Sequence, residues 1–317
     1  MSKHHDDDGK GDGLTRRHAL ECMIWAGTGV LWTVSGGVPM SSAFLGSAQA
    51  AEMTGFSFLQ ISDSHIGFKK PANPDAAGTL KEAIDKVKAM AGKPAFMIHT
   101  GDITHLSKPE EFDTAAQLIG ASGLDVHYVP GEHDLVDEGT GKAYMERYGK
   151  NAKGAGWYAF DQAGVHFVGL VNVAGLKPGG MGALGAEQLA WLADDLKALT
   201  DSTPVVVFAH IPLWTVYPEW GWGTDDSAQA LTLLKRFGSV TVLNGHIHQL
   251  MQKVEGNVTF HTARSTAFPQ PEPGKAPSPG PLLVPADKLR GLLGVRSVLF
   301  APGTASLAVT DKALADA

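Results

Sequence analysis

The chain has almost no sulfur to work with. Its 317 residues contain one cysteine, Cys22, which excludes both a disulfide framework and a thiolate metal site. Positive charge is also short: 26 Lys and Arg stand against 33 Asp and Glu, a net of -7, which gives no basic face for nucleic acid. No internal repeat with a period of roughly 20 to 50 residues is present. What the chain does have is histidine, thirteen in all, within an ordinary globular composition of 44% hydrophobic and 19% charged residues. Any metal must therefore be held by nitrogen and oxygen.

Residues 1–21 are polar and end in Thr15-Arg16-Arg17-His18-Ala19-Leu20. From Cys22 to Leu45 the chain is mostly apolar but rich in Gly and Ser, and Ala48-Gln49-Ala50 offers a small-x-small cleavage pattern. This segment resembles a twin-arginine export signal, with Ala19 and Glu21 replacing the usual Phe and Lys. The resemblance implies a signal peptide over residues 1–50, cleavage after Ala50 and a periplasmic or otherwise exported chain. It would be folded, and loaded with metal, before export. The alternative is an uncleaved anchor over residues 22–45, which Gly36-Gly37 and Pro39 make a poor spanning helix. A cleaved signal leaves no stable membrane partner.

Downstream, apolar β-type runs end repeatedly in ionisable residues. Phe56–Ile61 leads to Asp63 and His65, which lie two apart on an extended segment and so point the same way. Ala95–Ile98 leads to His99-Thr100-Gly101-Asp102. Val126–Val129 breaks at Pro130-Gly131 into Glu132-His133-Asp134. Val205–Phe208 leads to His210, and Val240–Leu243 to Gly245-His246-Ile247-His248. Helical spacing is expected at 74–90, 109–119, 185–199 and 227–236, with a hairpin over 157–171. Strands alternating with helices predict a layered α/β domain, and in open α/β sheets ligands sit at the carboxyl ends of strands. Pro269–Pro285 carries seven prolines and reads as a linker or surface strap. Two short apolar runs follow it, Val295–Phe300 and 306–309, which could add an edge hairpin. The domain reading is therefore a signal over 1–50, a main domain over 51–268 and a tail over 269–317.

Asp63-x-His65, Gly101-Asp102, Gly131-Glu132-His133-Asp134, His210 and Gly245-His246-x-His248 resemble, in order and spacing, the five blocks of the calcineurin-like metallophosphoesterases. The resemblance implies an α-β-β-α sandwich, two mixed sheets packed together with helices outside. It also implies two divalent or mixed-valence ions of Mn, Fe or Zn. Asp63, His65 and His248 would hold the first ion, His210 and His246 the second, with Asp102 bridging. Two such ions clamp phosphoryl oxygens and make a hydroxide available for in-line attack. The expected activity is hydrolysis of a small phosphoester, a diester or nucleotide-like molecule. His133 would face the leaving group, with Asp134 fixing its tautomer.

Glu132 departs from the family, which has Asn there. It makes a third carboxylate beside Asp63 and Asp102, and so should tighten metal binding while weakening the pull on an anionic substrate. A metal-holding protein with weak turnover is the corresponding alternative. Trp214, Tyr217, Trp220 and Trp222 form either a substrate wall or a loop packed on its own domain. His99, His127, His166 and His261 read as structural. His105 could approach the site rim, and Arg264 could meet a phosphate.

Overall fold

The computed structural model describes residues 29–35, 38–44, 55–90, 92–137, 141–177, 179–304 and 307–315. It divides into two compact units, 1–53 and 54–317. In the first, β1 (Gly29–Ser35) and β2 (Val38–Phe44) pair antiparallel, from Gly29 opposite Phe44 to Ser35 opposite Val38. The arginine pair, Cys22 and the Ala48–Ala50 pattern lie outside the described residues. Among the described residues no helix is long and apolar enough to cross a membrane.

The second unit holds two mixed sheets. One has the order β13-β12-β3-β4-β5, built from β3 (Phe56–Ile61), β4 (Met97–His99), β5 (Val126–Tyr128), β12 (Gly294–Phe300) and β13 (Ala308–Ala313). The other runs β10-β11-β9-β8-β7-β6. Its strands are β6 (Tyr158–Gln162), β7 (Val165–Gly169), β8 (Val205–Phe208), β9 (Val240–Asn244), β10 (Gln252–Glu255) and β11 (Val258–Thr262). β3, β4 and β5 are parallel, as are β7, β8, β9 and β11. All strand ends that precede the ionisable clusters therefore open toward one edge of the molecule.

The sheets face each other across an aromatic layer. Phe58 stacks on Phe96 with ring centroids 5.1 Å apart and meets Phe167 edge-on at 5.2 Å. The outer face of the first sheet is covered by α1 (Ala76–Lys88) and α2 (Pro109–Gly120). α4 (Gly185–Leu196) and α5 (Ser227–Leu234) cover that of the second. This is the four-layer arrangement expected. α1 starts at Ala76, where the Asp75 side chain accepts from Gly78 N and caps the first turn. Two short helices, α3 (Lys142–Tyr148) and α6 (Ala286–Leu292), carry too few apolar positions to announce themselves in the sequence.

The C-terminal strands join the first sheet, β12 lying antiparallel to β3. Buried Arg296 pins them: its guanidinium donates to both Asp311 carboxylate oxygens, to Gln60 Oε1 and to the Thr262 carbonyl. Arg264 donates to the Gly291 carbonyl, which gives it a structural partner.

His166 on β7 sits between Asp161 and Asp195, with Nδ1 2.8 Å and Nε2 2.9 Å from their carboxylates. Burial alone would lower its pKa, but the two carboxylates outweigh this and raise it. That stabilisation is complete below the unfolded histidine value of about 6.5 and is lost as pH rises through the higher folded value. His166→Phe should therefore lower the urea midpoint more at about pH 5.5 than at about pH 8.5. Equal losses at the two pH values would show that His166 is not folded as the cation.

Candidate metal centre

The ionisable clusters meet at the edge where the parallel strands end. Each is delivered by a sharp change of backbone direction. Seven described non-glycine residues have positive φ, and five of them are Asp63, His65, Asp102, His246 and His248. Each such residue costs of order 1–3 kcal/mol and persists only because its surroundings force it. The forcing comes from loop-to-loop hydrogen bonds that continue the sheet ladders: Asp63 N to Gly101 O, His65 N to Asp102 O and Gly245 N to His210 O. At Gly131 and Gly245 any Cβ would collide with the Asp102 and Asp63 carboxylates, so only glycine lets the turns pass so close.

Two donor sets result, with Asp102 between them. Asp63, His65 and His248 form one: His248 Nε2 is 3.2 Å from Asp63 Oδ1 and 3.3 Å from His65 Nε2. Glu132, His210 and His246 form the second, with Glu132 Oε2 3.0 Å from His210 Nε2 and Oε1 3.0 Å from His246 Nδ1. Asp102 lies between them, its Oδ2 3.4 Å from both His65 Nε2 and His210 Nε2. Asp63 Oδ2, Glu132 Oε2, His210 Nε2 and both His246 ring nitrogens are buried without a hydrogen-bond partner. Buried polar atoms left unpaired are costly, and here they cluster where cations would pair them. The residues therefore fit two metal ions. Two imidazole nitrogens 3.3 Å apart also match adjacent ligands of one ion, whose metal–nitrogen bonds are about 2.0–2.1 Å.

The outer nitrogens are fixed as a metal site requires. His210 Nδ1–H donates to the Thr100 carbonyl at 2.7 Å and His248 Nδ1–H to the Phe268 carbonyl at 2.6 Å, which turns both Nε2 lone pairs inward. Burial would raise the Asp63 carboxyl, but His248 and His210 beside it hold it at about 2. Glu132 is likewise held well below the carboxylate range by His246 and His210 against the effect of burial. Burial and its histidine neighbours push His65 well below 6.5. His210 moves the other way, because Asp102 and Glu132 outweigh its burial.

His133 and Asp134 share a one-turn 3₁₀ segment, Glu132–Asp134, whose tight pitch sends successive side chains in different directions. Glu132 and His133 face the donor sets; Asp134 turns back into the protein. The expectation that Asp134 fixes the His133 tautomer is therefore corrected. His133 Nδ1–H donates instead to the His105 carbonyl at 2.8 Å, and the His105 ring stacks on His133 at 4.8 Å. Burial would lower the His133 pKa, yet Asp102 and Glu132 raise it. Asp134 accepts from the backbone N–H groups of Gly131, Ile103 and Thr104 and from the Thr104 hydroxyl, locking the turn.

His105 comes closer than its position past Asp102 suggests, its Nδ1 3.4 Å from His65 Nδ1. Phe268, missed in the sequence, stacks on His65 at 4.7 Å, and it is separated from every motif. His99 packs against Ser64 Oγ at 2.7 Å and Tyr128, outside the donor sets. Of the aromatic loop, Trp214 packs on Phe260, whereas buried Trp220 and Trp222 also line a cavity of about 820 Å³ that opens onto the donor residues.

The family model for calcineurin-like phosphoesterases matches residues 56–250, more than half of the chain. The chain belongs to that family. It is a phosphoester hydrolase, and the family is one of dinuclear metal enzymes. This phosphoesterase is 22% identical over 218 residues to the 3',5'-cyclic-nucleotide phosphodiesterase alr5338 of Nostoc sp., covering 67% of this chain and 79% of that protein. It is 25% identical over 222 residues to the glycerophosphodiester phosphodiesterase GpdQ of Enterobacter lignolyticus, covering 67% and 77%. Among solved structures, a dimetal phosphatase from Danio rerio superposes with a TM-score of 0.62 at 15% identity, over 82% of this chain and 97% of the other.

Asp134→Asn leaves one oxygen and sets an NH₂ against N–H donors that have lost their acceptor. It should cost roughly 2–4 kcal/mol of unfolding free energy by urea denaturation. A loss well below 1 kcal/mol would place the turn's rigidity elsewhere.

Proposed function

We propose that this phosphoesterase is an exported two-metal enzyme acting on a small phosphodiester or nucleotide-like substrate. The observation that carries the reading is the convergence of unpaired buried donors from Asp63, Glu132, His210 and His246 beside Asp102. Asp63, His65 and His248 would hold one ion, Glu132, His210 and His246 the other, with Asp102 shared. A nitrogen and oxygen set without sulfur suits Mn, Fe or Zn. Bound there, the ions supply the charge that neutralises phosphoryl oxygens and the acidity that makes water a nucleophile. His133 lines the same cavity, and the His105 carbonyl fixes its Nδ1–H; as the imidazolium that Asp102 and Glu132 favour, it would hand its Nε2 proton to the departing oxygen. Both phosphodiesterase relatives favour a diester; export rests on the twin-arginine resemblance of residues 1–50.

One observation favours a second reading, a metal-holding protein with weak turnover. Glu132 brings a third carboxylate to the cluster, between His210 and His246. Three carboxylates leave less net positive charge than two to draw in an anion.

Metal analysis and hydrolysis of a chromogenic phosphodiester on the same exported sample test both. About two metals per chain with turnover is the expected result. Two metals without turnover would favour the second reading, and no metal would sink both. Glu132→Asn should lower metal retention on dialysis or raise diester turnover; if neither changes, Glu132 is not a ligand. The mature N-terminus is expected at Ala51, with Arg16→Lys plus Arg17→Lys holding the chain inside the cell. An exported protein that begins at Met1 would remove the cleaved-signal reading.

A further inference from the structure

The cavity beside the donor sets is unlike a site for a polar alcohol. Its floor carries His65, Asp102, Glu132 and His246, but the walls come from three apolar stretches. Leu135, Val136 and Met145 supply the first, and Val173 and Leu176 the second. The third joins Trp222 to Phe268 and to Pro281 of the proline-rich strap, which folds back so that Leu282 N donates to the Pro269 carbonyl. Val136 in the lining is itself 50% exposed, and Leu282 and Leu283, which follow Pro281 in the chain, are 38% and 67% exposed.

Polar side chains are scarce in the same walls. Among the described lining residues, outside the donor sets, His133 and His105, the polar side chains are Gln270, Lys70 and Lys177, and the two tryptophans add one N–H each. Gln270 Oε1 is buried without a partner and can accept one hydrogen bond. Selection for a sugar, a base edge or glycerol needs several placed partners for its hydroxyls and amides. Lys70 and Lys177 are exposed and offer positive charge to a phosphate.

We propose that the organic group of the substrate is a large hydrocarbon body, alkyl or aryl, attached to the phosphate held at the donor cluster. The inference rests on the phosphodiesterase reading above and deepens it. The phosphate engages the cluster and the lysines, while the hydrocarbon fills the cavity along Leu135, Val136, Met145 and Leu176. Its burial supplies the binding free energy that the few polar partners cannot.

Binding of non-hydrolysable methyl-, butyl-, hexyl- and phenylphosphonate to the Mn-loaded full-length protein, measured by calorimetry, tests this. Butylphosphonate should bind about tenfold or more tighter than methylphosphonate, since each buried CH₂ is worth roughly three- to fourfold. Hexyl exceeding phenyl would indicate a flexible chain, and the reverse a flat ring; either supports the proposal. Val136→Asp and Leu176→Asp should each cut the hexyl-to-methyl ratio by about tenfold. One affinity across the whole series would overturn it, as would unchanged ratios in both variants. Hydrolysis of methyl and hexyl p-nitrophenyl phosphate on the same sample keeps the two readings apart. Turnover with no chain-length dependence of binding or rate sinks the hydrocarbon site alone. Chain-length-dependent binding without turnover sinks the phosphodiesterase reading and leaves the hydrocarbon site standing.

Discussion

The bond from His210 Nδ1–H to the Thr100 carbonyl joins the end of a strand in one sheet to the end of a strand in the other. Everything at the centre depends on those two ends staying level. Asp63 and Asp102 arrive from the first sheet, His210, His246 and His248 from the second, and their donor atoms must meet within a few ångströms. A slide of one sheet by a single residue would move a strand end by about 3.3 Å, more than a metal–ligand bond. Buried Gln60 ties the level a second time. Its amide donates to Thr100 Oγ1 and to the Asn244 carbonyl, while its oxygen accepts from Arg296. Asp63 Oδ1, accepting from His246 N, is a third tie.

These ties explain how the left-handed backbone at five donor residues persists. A strained residue survives where its surroundings leave no alternative. Here the alternative would break a ladder bond between neighbouring loops and strip a buried carboxylate of its partners. The aromatic layer of Phe58, Phe96 and Phe167 keeps the sheets from separating, so the strain cannot relax by opening the sandwich. Rigidity is set by the core and used at the rim. A cluster of buried, unpaired donors is tolerable only on such a support.

Much of this was legible in the sequence because strands and donors follow local rules. Apolar runs such as Val205–Phe208 end abruptly in His210, and that ending is visible without any structure. The donors that meet are those the family resemblance implied, together with Glu132. What was hidden depends on contacts far apart in the chain. Phe268 reaches His65 across more than 200 residues, and no periodicity could announce it. The role given to Asp134 failed for a different reason. Adjacency in sequence suggests adjacency of side chains, but a 3₁₀ turn separates them, and a backbone carbonyl from His105 took the place expected of a carboxylate. Aromatic composition also left two readings open for residues 214–222, and the loop divides between them: Trp214 packs inward, and Trp222 is buried yet faces the cavity.

Glu132 links the cluster to the cavity. An asparagine there would give a neutral oxygen to one ion; the carboxylate reaches His210 and His246 together, 3.0 Å from each. Its charge binds cations more firmly and attracts an anionic substrate less. An enzyme with that balance gains by drawing substrate affinity from somewhere other than the phosphate. The cavity beside Glu132 supplies such a source, because hydrocarbon burial is independent of the charge on the metals. Weak electrostatic attraction and an apolar wall are consistent as a pair: under the proposal, the wall would concentrate the substrate and leave the cluster to act on the phosphate.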